Sequence, residues 1–206
     1  PLIVHYYNLS SLKKDCVINK NFIKLYKKFC PGPISFVLKL KKNSLISKNV
    51  TNKKTTIAVR FPNHPITRNL LKNLKYPLAA PSANISSKIS PVSKNDVIEE
   101  FGKKIKFILD GGQSPIGLES TILSLIKKPR ILRLGGLEKN KIKKFLKIKT
   151  KLIKKSNIVV PGQGKLHYSP QIPIRLNIKW PRQNEAFILI KKRNFSDKNY
   201  FYLTKN

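Results

Sequence analysis

Residues 56–80 read TIAVRFPNHPITRNLLKNLKYPLAA, and two different periodicities follow one another within them. Thr56 to Arg60 is a short run with an apolar interior, the composition of a buried strand. Pro65 suits the first turn of a helix, on which Ile66, Leu70, Leu71 and Leu74 share one side. Leu78 to Ala80 closes the stretch as another short strand. Strand, helix and strand in this order predict an α/β domain, because parallel neighbours in a sheet need a crossover, usually helical.

The same pattern extends in both directions. Upstream, Leu2 to Val4 reads as a buried strand ending at His5. Phe22, Leu25, Tyr26 and Phe29 fall at i, i+3, i+4 and i+7, which predicts an amphipathic helix stopped by Pro31-Gly32-Pro33. A strand is expected at Ser35 to Leu40, then a solvated lysine-rich excursion from Lys41 to Lys54. Downstream, Pro81 to Val92 is a serine-, asparagine- and proline-rich loop, and Ser93 caps a helix bearing Val97, Ile98 and Phe101. Phe107 to Leu109 leads into a turn at Asp110-Gly111-Gly112. Thr121 to Ile126 and Arg130 to Leu134, separated by Lys-Lys-Pro, predict a hairpin, so the sheet is mixed. A helix carrying Ile142, Phe145 and Leu146 brings the first domain to its end near residue 150. A linker over 151–171 follows, and 172–206 has strand-like runs at Ile174 to Ile178 and Phe187 to Ile190. So short a segment is too small for a stable core and reads as the start of a smaller α/β domain.

Apolar residues make up 40% of the 206, enough for a folded core. No apolar run approaches the roughly 20 residues that span a bilayer, and Pro1 to His5 lacks the pattern of a signal peptide, so a cytoplasmic protein without a membrane partner is expected. Cys16 and Cys30 have no CxxC spacing and read as free thiols. The formal charge of +34 fits two causes. It is the footprint of an RNA-binding protein, or the result of an A-rich coding bias that places lysine at tolerant surface positions. Arginine is scarce beside lysine, which draws attention to Arg60 and Arg133, since a forked guanidinium does what an ammonium cannot.

Four places carry candidate chemistry. Arg60 ends a strand, where it could pair a carboxylate bidentately or serve a structural ion pair. Pro81-Ser82-Ala83-Asn84, with Ser86, Ser87 and Ser90 behind it, offers small donors for phosphate or carboxylate oxygens, or is an ordinary Asx or Ser turn. Glu119-Ser120-Thr121 opens one hairpin strand, and Arg133 ends the other just before Gly135-Gly136, whose bare backbone would admit a ligand. His5, His64 and His167 lack metal-ligand spacing, and no GxxxxGK[ST] phosphate loop occurs. Only nine residues are acidic, and no pair suits general acid–base work.

Taken in order, Pro1-Leu2-Ile3-Val4-His5, Pro31-Gly32-Pro33, Ile57-Ala58-Val59-Arg60, Pro77 to Asn84 (PLAAPSAN), Ser90-Pro91, Asp110-Gly111-Gly112, Gly117 to Ile122 (GLESTI) and Leu132 to Gly136 closely resemble the YrdC-like family of threonylcarbamoyl-AMP synthases. The linker ending in His167-Tyr168-Ser169-Pro170 resembles that of the family's long form. The resemblance implies a twisted open mixed sheet flanked by helices. It also implies a piece cut at both ends, since family members begin upstream with Thr-x-Tyr-Gly-Leu and Lys-x-Arg-Pro segments absent here. The implied activity is that of a nucleotidyltransferase making threonylcarbamoyl-AMP and pyrophosphate from L-threonine, bicarbonate or CO2, and ATP with Mg2+. A downstream transferase would pass the group to tRNA. Carried over by position, His5, Arg60, the backbone at Ala80, and Ser120 would hold threonine. Thr56, Ser82, Asn84, Ser90, Arg133 and, from the linker, Tyr168 would hold ATP. Two alternatives stand beside this reading, an RNA-binding module of the same fold without catalysis and a carbamoyltransferase of hydrogenase maturation. The second carries cysteine-paired zinc motifs that this sequence lacks.

Overall fold

The structure is a computed structural model and describes residues 2–85, 88–147, 172–190 and 198–203. The chain divides into two compact units, Pro1–Pro170 and Gln171–Asn206. In the first, strands β1 (Ile3–His5), β2 (Ile34–Lys39), β3 (Thr56–Arg60), β4 (Leu78–Ala80), β5 (Thr121–Ser124) and β6 (Arg130–Arg133) form one sheet in the order β4-β1-β3-β2-β5-β6. Two pairs, β1 with β3 and β2 with β5, are parallel, and the other three are antiparallel. The sheet is therefore mixed, as the hairpin at β5 and β6 predicts.

Three helices build the main core with this sheet. They are α1 (Leu9–Asp15), α2 (Lys20–Phe29) and α6 (Lys139–Leu146). Leu12 of α1, Phe22 and Leu25 of α2, and Ile142 of α6 pack with Val4, Phe36, Val59, Leu123 and Ile131 from alternate positions of the strands. Edge-to-face contacts fix the layers, with ring centroids 5.1 Å apart for Phe22 and Phe36 and 5.4 Å for Phe29 and Phe145. Asn19 accepts the Phe22 N–H as the cap of α2 and donates to the Leu125 carbonyl, which ties the helix start to the end of β5. α1 is pinned by a buried carboxylate. Asp15 accepts Tyr6 O–H at 2.9 Å and Ser44 O–H at 2.7 Å.

The alternate strand positions form a second, smaller apolar cluster of Ile3, Val37, Ala58, Ile122 and Leu132. This is the face on which the candidate residues fall. Two further helices complete the unit, α4 (Pro65–Asn73) and α5 (Lys94–Phe101). The Ser93–Asp96 capping box starts α5 where the sequence places it. The excursion from Lys41 to Lys54 is less solvated than expected, because it contains the short helix α3 (Lys48–Thr51), with Thr51 buried. Cys16 and Cys30 are free thiols, and burial pushes both up to about 12, so they stay protonated. Among the described residues no helix is long and apolar enough to cross a membrane.

In the second unit β7 (Phe187–Leu189) pairs in parallel with β8 (Tyr200–Tyr202). The expected strand at Ile174 to Ile178 is not formed. Its alternating Ile174 and Leu176 remain exposed, and no described strand lies beside them to complete a ladder. Arg175 instead forms an ion pair with Glu185.

Candidate functional site

One row of register partners crosses the sheet. His5 on β1 faces Arg60 on β3, Arg60 faces Ser35 on β2, Ser35 faces Ile122 on β5, and Ile122 faces Arg133 on β6. Register partners project to the same side of a sheet, so these side chains share the face opposite helices α1, α2 and α6. Ser120, at the entrance of β5, joins them through a 2.7 Å contact between its Oγ and Ser35 Oγ.

Arg133 closes the row. Its Nε and Nη2 donate to the Ser120 carbonyl at 3.2 and 2.8 Å, and Nη2 also reaches Ser120 Oγ at 3.3 Å. The local backbone explains this approach. A Cβ on Gly135 would lie 2.2 Å from the Glu119 oxygen and 2.6 Å from the Ser120 carbonyl carbon. Only glycine lets the β6 exit press against the β5 entrance. Gly136 N–H donates to Glu119 O at 2.7 Å, and Thr121 Oγ1 donates to the Leu137 carbonyl at 2.6 Å, so the two segments are clamped.

The electrostatics are those of an anion site. Burial, and after it the charge of Arg133, lowers the pKa of Arg60, whose Nε is buried without a hydrogen-bond partner. Among the described residues no ion pair involves Arg60. Burial and then the Arg60 charge hold His5 down at about 4, against opposing backbone hydrogen bonds to Leu78 and Ile3, so the imidazole is neutral at pH 7. A carbonyl only accepts, so the 3.3 Å bond from Nδ1 to Leu78 O places the proton on Nδ1 and leaves Nε2 as an acceptor. The row thus offers guanidinium donors for an anion and one neutral acceptor for a ligand donor.

The other candidate residues sit around this row at varied distance. Ala80 pairs with Ile3, two residues from His5, on the edge strand β4. Ser90 donates to the Glu119 carboxylate at 2.5 Å and so is tied to the residue before Ser120. Ser82 is exposed on the loop leaving β4. Asn84 turns inward, donating to the Ile85 and Lys88 carbonyls at 2.9 and 3.0 Å, with its Oδ1 buried and unpartnered. Thr56 lies on the same face as Arg60 but at the other end of β3, about 13 Å away at ~3.3 Å per residue. It is the one strand residue of the set that is not beside the row. Tyr168, Ser86 and Ser87 lie outside the described residues. His64 occupies the N-cap position of α4 without a side-chain capping bond, and its Nε2 bonds the Gly111 carbonyl at 3.0 Å, which ties that start to the Asp-Gly-Gly turn.

One participant, Ser35, is missing from the sequence reading of the site, and Glu119 is named there without a role of its own. Ser35 is wholly buried between Arg60 and Ser120, and its only signal is a hydroxyl inside a strand that is otherwise apolar up to Lys39. Glu119 holds Ser90. Its signal is its place beside Ser120 in a chain with few acids.

A mixed sheet flanked by helices, with a row of cationic and hydroxyl side chains on the face opposite α1, α2 and α6, defines an α/β domain with a candidate anion site. The Sua5/YciO/YrdC family model, described as telomere recombination, matches residues 1–135, and the chain belongs to that family. It is 38% identical over 191 residues to the threonylcarbamoyl-AMP synthase of Pyrococcus abyssi, covering 88% of this chain and 55% of that protein. It is 33% identical over 225 residues to the threonylcarbamoyl-AMP synthase of Schizosaccharomyces pombe, covering 93% and 55%. The crystal structure of P. abyssi Sua5 complexed with L-threonine superposes with a TM-score of 0.85 at 31% identity, covering all of this chain and 66% of that one. The chain spans about half the length of the curated relatives it matches.

Proposed function

We propose that this chain provides the substrate-binding sheet of a threonylcarbamoyl-AMP synthase, a nucleotidyltransferase. In this reading the amine of L-threonine takes up CO2, supplied as such or as bicarbonate, to give a carbamate. A carbamate oxygen then attacks the α-phosphate of ATP, a P–O bond forms, and the bond to the departing pyrophosphate breaks. The product, threonylcarbamoyl-AMP, goes to a downstream enzyme that modifies tRNA in the cytoplasm.

The observation that carries the proposal is the buried, unpaired Nε of Arg60 beside a second guanidinium and the neutral His5. A guanidinium without a carboxylate of its own suits a substrate carboxylate, here that of threonine, and the L-threonine complex of the P. abyssi relative supports this choice. Ser120, His5 and the Ala80 backbone would complete the threonine subsite. Arg133, Ser82, Asn84, Ser90 and Thr56 would line the nucleotide side, with Tyr168 closing over it from the linker. Phosphoryl chemistry of this kind depends on positioning and charge stabilisation more than on acid–base groups, which suits a site built of donors. Among the described residues no cluster of histidine, cysteine and carboxylate could hold a metal, so Mg2+ would come on the phosphates of ATP.

Arg60→Ala tests the assignment. Losing a charge-assisted pair with a carboxylate should weaken L-threonine binding by on the order of 100-fold and abolish threonine-dependent pyrophosphate release. Because the charge of Arg60 is disfavoured in the folded state, thermal unfolding should show a fold that is retained. Pyrophosphate release at the wild-type rate in this variant refutes the role. The high charge favours a second reading, an RNA-binding module, and salt-sensitive RNA binding with no ATP binding would decide for it.

A further inference from the structure

The hydroxyl protons at the centre of the row can be accounted for one by one. Ser35 is completely buried, and among the described residues the contact with Ser120 is the only hydrogen bond its hydroxyl makes. Ser120 Oγ meets two neighbours, Ser35 Oγ at 2.7 Å and Arg133 Nη2 at 3.3 Å. A guanidinium has no acceptor, so toward Arg133 the Ser120 oxygen can only accept. Were Ser120 also to give its proton to Ser35, the Ser35 proton would be stranded in the core without an acceptor, the costly arrangement for a buried polar group. The reverse polarity satisfies Ser35 and moves the one unmatched proton to Ser120, beside the Arg133 guanidinium. Ser35 donates to Ser120, both lone pairs of Ser120 Oγ are then filled, and its own O–H is its one remaining capacity.

We propose that Ser35 is a positioning residue that makes Ser120 an obligate hydrogen-bond donor, aimed at an anionic oxygen and closed to ligand donors such as an ammonium group. Ser120 is itself 1% exposed, so its proton serves an acceptor held within the site rather than bulk water. The unpaired Arg60 Nε, one register step from Ser35, and the Arg133 guanidinium add positive charge around the same point. The acceptor chemistry is therefore a carboxylate or phosphoryl oxygen. That this oxygen belongs to threonine or to ATP rests on the function proposed above. The polarity of the serine pair does not.

Calorimetric titration of the chain with L-threonine and, separately, with ATP tests this, using wild type, Ser35→Ala, Ser120→Ala, the double variant and Ser35→Thr. Ser35→Ala should weaken one of the two ligands by about tenfold, the size of one hydrogen bond, and the ligand affected identifies the source of the oxygen. The double variant should bind no worse than Ser120→Ala alone, because Ser35 acts only through Ser120. Ser35→Thr, which keeps the hydroxyl, should recover most of the loss. Unchanged binding in Ser35→Ala, or losses that add in the double variant, would overturn the proposal. If the wild type binds neither ligand, the proposed function fails and urea unfolding of the same proteins decides the serine pair. Stability losses that do not add uphold it, and additive losses reject it.

Discussion

His5 and Arg60 stand side by side in register, and burial first, then the Arg60 charge, makes the charged form of His5 hard to hold. For His5 this has a consequence in solution. Its folded pKa is about 4, against an ordinary 6.5, so between those values the unfolded chain binds a proton that the folded chain refuses. The unfolded state then holds more protons, and stability falls as pH falls through this window, with the loss complete below about pH 4. The difference corresponds to about 3 kcal/mol as an upper figure. His5→Gln keeps an amide for the Leu78 carbonyl but does not titrate. Urea unfolding at a series of pH values should show the wild type losing more stability than this variant between pH 6.5 and about pH 4. Parallel curves would mean that the imidazole is not held neutral against Arg60.

Among elements, the hairpin of β5 and β6 does the most to assemble the site, because its two ends bring Ser120 and Arg133 together across the Gly135 contact. Gly135→Ala would force a methyl into the Glu119–Thr121 backbone, and backbone cannot swing aside as a flexible side chain can. A loss of about 1–3 kcal/mol is expected, read as a lower Tm by scanning calorimetry. L-threonine binding should weaken with it, since Ser120 moves with the strand. An unchanged Tm would show that this approach is looser than the structure has it. The sequence reads well where an element has its own punctuation. Leu78 to Ala80 is bounded by proline on both sides, Thr56 to Arg60 has polar residues at both ends, and the capping box announces α5. Helix α1 escaped the reading because Leu9 and Leu12 are its only apolar residues, and its Asn8 cap resembles any loop asparagine. The alternation from Ile174 to Ile178 misled because alternation describes a strand's faces and not the neighbour it must pair with. Ser35 was illegible for a related reason. Its value depends on β2 lying between β3 and β5, and β5 begins 87 residues after β2, from Ile34 to Thr121.

Over the whole molecule, cations are spread widely, yet the row across the sheet employs arginine alone, two of the seven among 43 basic residues. Lysine is plentiful where the exposed faces of α2 and α6 meet solvent, as at Lys24, Lys27, Lys28, Lys141 and Lys144. This division fits a chain whose lysines are tolerated at the surface and whose arginines are placed for forked, directional contacts. A net charge of +34 on one small protein also means self-repulsion that the folded state concentrates and the unfolded state relaxes. Raising NaCl from about 0.1 M to about 1 M shortens the screening length from about 10 Å to about 3 Å. Repulsion between exposed lysines is then lost. The half-buried Arg60–Arg133 pair is screened less than exposed lysines, so the stabilisation should come from the surface. Tm should rise with salt, by about 2–4 °C for each kcal/mol of repulsion relieved. Sodium chloride is the suitable salt, because sulfate would also strengthen apolar burial and blur the cause. Arg60→Ala should show nearly the same slope as wild type, since its charge is among those that salt reaches least. A Tm that does not move with NaCl would mean that the lysines are already neutralised by bound anions. Loss of that anion by high-salt washing, followed by a restored slope, would then point back to a polyanionic partner.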